Sequence, residues 1–204
     1  MSVNYCSSLP FAGWSFLTQK HRHVVAGLGY SADDKGLTDY AQHLAVCIQS
    51  SDQFLKEQFV DKRRDTWRYV VSLVYDLQPE DIPKLSIVDA RNLMHKVTSK
   101  MIEPDTLLEI QKRCTNIMDK KPEYELAKKH HMIQCIIIDM VYLGGDPSIV
   151  SEAGFGDGET GYAKLMCAMT DHEGDPLIAE YGGRAMMKML ETAGIDPKTI
   201  QQQS

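Results

Sequence analysis

The chain lacks the features that mark disulfide-bonded, secreted and membrane-spanning proteins. Its five cysteines are odd in number and scattered, and no two have CxxC spacing, which favours a reducing compartment. No basic segment followed by a continuous apolar core opens the chain, so we predict no signal peptide. The longest apolar-rich stretch, about twelve residues from Met132, is too short to cross a bilayer. We expect a cytoplasmic, intracellular protein without membrane insertion.

Short motifs of catalysis are also absent. The sequence contains no G-x-S-x-G and no H-E-x-x-H, and the glycine-rich segment 154–161 lacks the Lys-Ser/Thr of a phosphate-binding loop. Catalysis by residues far apart in sequence stays open. The patterns nevertheless favour a protein that is not an enzyme, and they predict no cofactor.

Composition indicates an ordinary globular protein. Of the 204 residues, 43% are hydrophobic and 25% are charged, which is incompatible with global disorder. The formal net charge is −6, so attraction of the whole surface to nucleic acid is not expected. A net negative charge is still compatible with a local basic face.

Apolar periodicity predicts an all-α fold, a compact multi-helix bundle of seven or eight helices around a buried central helix at about 122–143. Ser86 and Asp89 form a capping-box pattern, and Pro104 and Pro122 stand where a first helical turn tolerates proline. The predicted helices cover residues 35–50, 52–60, 65–77, 86–101, 105–118, 122–143, 161–170 and 176–193.

The chain divides into an arm, a domain and a tail. Residues 1–31 form an aromatic and glycine-rich N-terminal arm, residues 32–200 a single helical domain, and residues 201–204 a polar tail. Phe11, Trp14 and Phe16 give the arm an apolar character without a core of its own. We expect these side chains to pack on the domain or on a neighbouring subunit.

Two groups of residues have the chemistry of metal ligands. Asp171, Glu173 and Asp175 alternate in a short acidic stretch, and His131, Cys135 and Asp139 recur at helical spacing on the central helix. The acidic stretch is also typical of a helix N-terminus, where carboxylates complement the helix dipole. Asp139, inside the apolar run, is better explained as a buried carboxylate with a hydrogen-bond partner.

Clustered cations suggest a polyanion surface. Lysines and arginines close to an aromatic residue suit the backbone and bases of single-stranded nucleic acid. The candidates for nucleic-acid binding are Lys62, Arg63, Arg64, Trp67, Arg68, Lys128 and Lys129.

Three functional hypotheses follow, in order of preference. The first is a non-enzymatic protein-interaction or assembly module, with itself or another protein as partner, using the arm and the methionine-rich segment around Met186, Met187 and Met189. The alternative is a helical protein that binds RNA or another polyanion, such as a viral or phage-like nucleoprotein. The third is a metal-dependent helical protein that uses His131, Asp139 and the acidic stretch.

Overall fold

The computed structural model of the chain describes residues 22–33, 35–36, 39–40, 43, 52–120 and 122–196. Over these residues the chain is helical, without strands, which confirms the all-α prediction. The predicted arm residues Phe11, Trp14 and Phe16, and the tail 201–204, lie outside the described residues. In the same part of the chain, no helix has the length and apolar character needed to cross a membrane. The bounded α-helices are α1 Arg22–Gly27, α2 Gln53–Tyr75, α3 Ile87–Met101, α4 Pro104–Thr115, α5 Pro122–Ile136, α6 Ile149–Glu152, α7 Gly158–Met169 and α8 Pro176–Thr192.

One long helix, α2, stands where the sequence predicted two. Asp52 caps its N-terminus by accepting a hydrogen bond from the backbone N–H of Phe54 at 2.8 Å, and the helix runs for 23 residues to Tyr75. No glycine or proline interrupts it. The prediction of a break between residues 60 and 65 was therefore wrong. The charged residues there continue the helix because two arginines among them have partners elsewhere in the fold.

The predicted start signals of α3 and α4 are confirmed. The Ser86 hydroxyl oxygen accepts from the Asp89 backbone N–H at 3.1 Å, so the first half of the capping box is formed. Pro104 occupies the first turn of α4, where its missing N–H has no intrahelical role. Helix α4 ends at Thr115, three residues earlier than expected.

The central helix changes its winding halfway. After Ile136 the chain continues as a π-helix, Ile137–Tyr142, in which the N–H of Leu143 donates to the carbonyl of Ile138 at 2.9 Å. The Lys100 ammonium donates to the carbonyl of Gly144 at 2.6 Å just beyond its end.

The apolar half of the central helix, from Met132 onward, is buried or partly buried at every residue except Asp139. Ile133, Ile136, Ile137 and Val141 face the core, whereas Asp139 is exposed. The expectation of a buried, paired Asp139 was wrong. The apolar residues around the helix pack at least partly against the core, and Asp139 lies at the position that remains open to solvent.

Two helix pairs organise the core. Helix α3 packs along α8 in parallel, since Leu85, Arg91 and His95 contact His172, Asp175 and Tyr181 in that order. The second pair is α2, which packs along α7. Around these two pairs, α4 packs on α5 and α1 packs on α2. The largest fully buried side chains are Val24, Val25, Val70, Val71, Val97, Ile110, Ile133, Ile136, Val141, Leu165, Met189 and Leu190.

The glycines around the start of α7 have a conformational role. Gly154, Gly156 and Gly158 have φ values of 83°, 85° and 67°, in the left-handed region that glycine adopts without steric cost. Position 161 requires glycine for another reason, which is lack of space for a side chain. A Cβ on it would lie 2.3 Å from the carbonyl oxygen of Gly156 and 3.0 Å from Val150.

Substituting two helical glycines by alanine should give opposite results. We expect Gly161→Ala to lower the free energy of unfolding by about 1–3 kcal/mol, because its methyl group overpacks the backbone of Gly156. A Cβ on Gly182, inside α8, would have no neighbouring atom within 4 Å. Gly182→Ala should raise the free energy of unfolding by about 0.5–1 kcal/mol. Urea unfolding followed by circular dichroism measures both; equal effects would contradict the packing around Gly161.

Candidate functional site: the acidic loop and its arginine partners

The acidic loop, residues 170–175, connects α7 to α8 and begins with a 3₁₀ turn, Thr170–His172. Each of its three carboxylates lies beside an arginine from another helix. Asp171 pairs with Arg64, Glu173 with Arg63, and Asp175 with Arg91. The structure thus brings together two sets of residues that the sequence suggested for different purposes.

The pair between Arg63 and Glu173 is the most buried of the three. The Nη1 of Arg63 lies 2.7 Å from Oε1 of Glu173, and the two side chains are 12% and 14% exposed. Burial raises the pKa of the Glu173 carboxyl, and the charges of Arg63 and Arg64 oppose that effect. The second oxygen, Oε2, is buried without a hydrogen bond. The carboxylate therefore depends on Arg63 for compensation of its charge.

Three tyrosines lie close to Arg63: Tyr40 and Tyr162 are buried, and Tyr142 is partly buried. Burial raises the pKa of Tyr40 to about 12 and that of Tyr142 to about 12, and the positive charge of Arg63 opposes both shifts. The Tyr40 hydroxyl is 2.5 Å from the hydroxyl oxygen of Thr66. Tyr142 and Tyr162 meet edge to face with centroids 5.1 Å apart. The π-helix contributes Tyr142, so the winding of the central helix and the surroundings of this ion pair are connected.

The pair between Arg64 and Asp171 is nearer the solvent. The Nε of Arg64 lies 2.9 Å from Oδ1 of Asp171, and Nη1 donates to Asp61 at 3.2 Å. The Asp171 side chain is largely exposed, and exposed pairs contribute little because water screens them. We therefore assign Arg64 a smaller role than Arg63 in stability.

Asp175 has two roles at the start of α8. One oxygen, Oδ1, accepts from the backbone N–H groups of Leu177 at 3.1 Å and Ile178 at 3.2 Å, which caps the helix. Both carboxylate oxygens accept from the Arg91 guanidinium, with the shortest contact 2.6 Å. The hydrogen bond from Arg91 holds the pKa of Asp175 below its ordinary value.

His172 completes the attachment of the loop. Its Nε2 is 2.8 Å from the carbonyl oxygen of Leu85, in the segment before α3, and we assign the proton to Nε2 because a carbonyl only accepts. The acidic loop is thus fixed to α2, to α3 and to the segment before α3. Its charges are used in tertiary contacts.

The predicted metal ligands do not converge on one site in the ranges that the structure covers. There, no three His, Cys, Asp or Glu side chains come together as a metal held by the protein alone would require. On the central helix, Nε2 of His131 lies 3.7 Å from Sγ of Cys135, while Asp139 is exposed. Burial, and then the charge of Asp139, raises the pKa of the Cys135 thiol. The proposal of a metal at these residues stays a prediction.

The predicted nucleic-acid-binding residues are mostly engaged inside the protein. The Lys62 ammonium lies 5.9 Å from the ring centroid of Tyr30, and Trp67 is buried with its ring edge to face with Tyr162. Lys128 pairs with Asp119 at 2.6 Å and Lys129 pairs with Glu125 at 2.7 Å. Arg68 is exposed. Binding of nucleic acid therefore stays a prediction.

The methionine-rich segment lies mainly in the core. Met186 and Met189 are buried, and Met187 is partly buried. These residues fill space between helices, as flexible thioether side chains commonly do. Met118, in the segment after α4, is 82% exposed.

Comparison of the chain with protein-family models, with curated proteins and with solved structures found no match. We therefore infer function from the sequence and from the geometry and chemistry of the described residues.

Sequence reasoning missed Arg91 and the tyrosines around Arg63. One signal was available: a run of carboxylates next to a helix in a small domain requires cationic partners if any of them is buried. Which arginine pairs with each carboxylate could not be predicted, because the partners are far apart in sequence: Arg91 and Asp175 are 84 positions apart.

Removing one charge of the buried pair should destabilise the fold. We expect Glu173→Gln to lower the free energy of unfolding by about 3 kcal/mol, since it leaves Arg63 buried and uncompensated. The double variant Arg63→Met/Glu173→Leu should recover most of that loss because both charges are removed together.

The matched control for the Glu173 experiment is Glu180→Gln, which breaks an exposed pair with Arg184 within α8. It should change the free energy of unfolding by about 0.5 kcal/mol or less. Urea unfolding at neutral pH measures all the variants. If Glu173→Gln and Glu180→Gln had the same effect, the buried pair would not have the importance that we assign to it.

The acid sensitivity of the fold should change in Asp175→Asn, which keeps a capping oxygen but loses the charge. Arg91 lowers the pKa of Asp175 in the folded protein below its ordinary value of 3.8. This contribution to stability is therefore complete above pH 3.8 and disappears as the pH falls through the lowered pKa. The difference in unfolding free energy between wild type and variant should narrow below pH 3.8. A difference independent of pH would contradict the assignment.

Proposed function

We propose that this protein is a non-enzymatic assembly module that binds further copies of itself through its aromatic N-terminal arm. The observation that supports the proposal most is an uncovered apolar face on α2. Tyr69 and Leu73, one helical turn apart, are 36% and 51% exposed. Arm residues Phe11, Trp14 and Phe16 are apolar as well, and association would remove both surfaces from water.

The charges of the protein are consistent with this proposal. The carboxylates of the acidic loop pair with Arg63, Arg64 and Arg91, so these charges are occupied in tertiary contacts. Association of a chain with a net charge of −6 must then overcome a general repulsion. Salt screens that repulsion and strengthens apolar contacts, whereas it weakens binding to nucleic acid. The sign of the salt dependence therefore separates the two leading hypotheses.

Light scattering coupled to size-exclusion chromatography tests the proposal on the full chain. We expect wild type to elute as one discrete oligomer, with an absorbance ratio typical of protein, and to associate more tightly as salt rises. The triple variant Phe11→Ser/Trp14→Ser/Phe16→Ser should raise the dissociation constant at least about 100-fold, because each buried aromatic side chain contributes about 1.5–3 kcal/mol.

The matched control for the arm variant is Met118→Ser, which removes an exposed apolar side chain outside the arm. It should leave the oligomeric state unchanged. A wild-type protein that is monomeric at every concentration, or a triple variant that still assembles, would contradict the proposal. A peak rich in nucleic acid that shrinks as salt rises would instead favour the alternative of nucleic-acid binding.

A further inference from the structure

We infer that His131 and Cys135 form an open chelate site for a thiophilic divalent cation of the zinc class, with water in the remaining coordination positions. Imidazole nitrogen and thiolate sulfur are donors that zinc commonly takes from proteins. The site uses neither the acidic loop, whose carboxylates pair with arginines, nor the N-terminal arm. It is therefore independent of the proposed self-association.

The distance between the two donor atoms fits a shared metal ion. Nε2 of His131 lies 3.7 Å from Sγ of Cys135. A tetrahedral zinc ion with bonds of about 2.3 Å to sulfur and about 2.0–2.1 Å to nitrogen separates these two atoms by about 3.6 Å. The separation in the fold is therefore already close to that of two ligands of one ion.

The central helix holds both donors in place. His131 and Cys135 are four residues apart within α5, which places them one turn apart on the same side of the helix. Ile133 and Ile136 are almost fully buried, so the core fixes the backbone that carries the donors. Once one donor has bound the ion, binding of the second is intramolecular, which strengthens the complex without any new contact.

The position of the pair suits an open site. Both side chains are partly buried, so an ion bound between them would remain in contact with water. Among the residues that the structure describes, no third His, Cys, Asp or Glu joins the pair. Water would therefore fill the other positions, as it fills the open position of catalytic zinc sites.

Nearby charges act on this pair in opposite directions. Burial raises the pKa of the Cys135 thiol, the charge of Asp139 adds to this effect, and the charge of Arg113 opposes it. Arg113 is itself paired with Glu109 at 2.6 Å. Asp139 would attract a bound cation without being a ligand. The ion would replace the thiol proton, which is released to water.

Titration of the full chain with Co²⁺, followed by absorption, tests the site. Co²⁺ takes the ligands of zinc, and its thiolate complexes absorb light. We expect one equivalent of Co²⁺ per chain to produce a thiolate-to-cobalt charge-transfer band, which Zn²⁺ then removes by displacement. Without a metal, the same contact is a hydrogen bond between thiol and imidazole. If Co²⁺ produced no such band, the contact would be that hydrogen bond only and the inference would fail.

Variants of the two donors test which residues bind the ion. Cys135→Ser and His131→Gln should each lower the affinity for Co²⁺ at least about tenfold, because either change leaves a single donor. Cys135→Ser should also abolish the charge-transfer band. The matched controls Cys6→Ser and His95→Gln remove a thiol and an imidazole elsewhere in the chain, and they should leave band and affinity unchanged. Equal losses in variants and controls would overturn the assignment.

A third variant tests the role of Asp139. Asp139→Asn removes the charge and should lower the affinity for Co²⁺ by only about twofold, because water screens a charge that is not a ligand. A loss as large as that of His131→Gln would make Asp139 a ligand and would overturn the two-donor site.

Protection of the wild-type thiol tests the site without any variant. Full-length protein is alkylated with iodoacetamide with and without Zn²⁺, and its tryptic peptides are quantified by mass spectrometry. Cys135 is the one cysteine of peptide 130–164, and Cys6 is the one cysteine of peptide 1–20. We expect Zn²⁺ to slow alkylation of Cys135 at least about tenfold and to leave Cys6 unaffected. Equal protection of both thiols, or of neither, would contradict a chelate at this helix.

Discussion

The buried ion pair between Arg63 and Glu173 is the contact on which the arrangement of this protein most depends. Two charges that are almost fully removed from water require each other, because desolvation of either one alone is costly. Their pairing fixes the loop between α7 and α8 to the middle of α2. Tyrosines of the N-terminal segment, the π-helix and α7 lie near Arg63, so together with α2 and the acidic loop five parts of the chain meet at one polar point.

The same pairing explains why the charged residues do not form an open site in the described part of the chain. A loop with three carboxylates and a helix with adjacent arginines look like a metal site and a polyanion site when each is considered alone. In the fold they are opposite sides of one interface. Arg63, Arg64 and Arg91 are therefore engaged with carboxylates of the same protein.

Helix α2 has two functions in the architecture, one on each side. Trp67, Val70 and Val71 join the core, while Thr66 and Tyr69 contact the N-terminal segment. On the second side, Leu73 remains half exposed, so that side is covered less completely than the first. This imbalance connects the stability of the domain to the association that we propose, because the residues that anchor α1 lie next to those left exposed.

The sequence by itself determined the all-α fold, the capping of α3 at Ser86 and the start of α4 at Pro104. These depend on residues within one helical turn of each other, where hydrogen bonding and backbone geometry act locally. Only the tertiary structure decided that α2 is one helix, that Asp139 is exposed, and that Glu173 pairs with Arg63. The exposure of a side chain and the partner of a charge depend on which distant helix packs beside it, and helical periodicity carries no information about that neighbour.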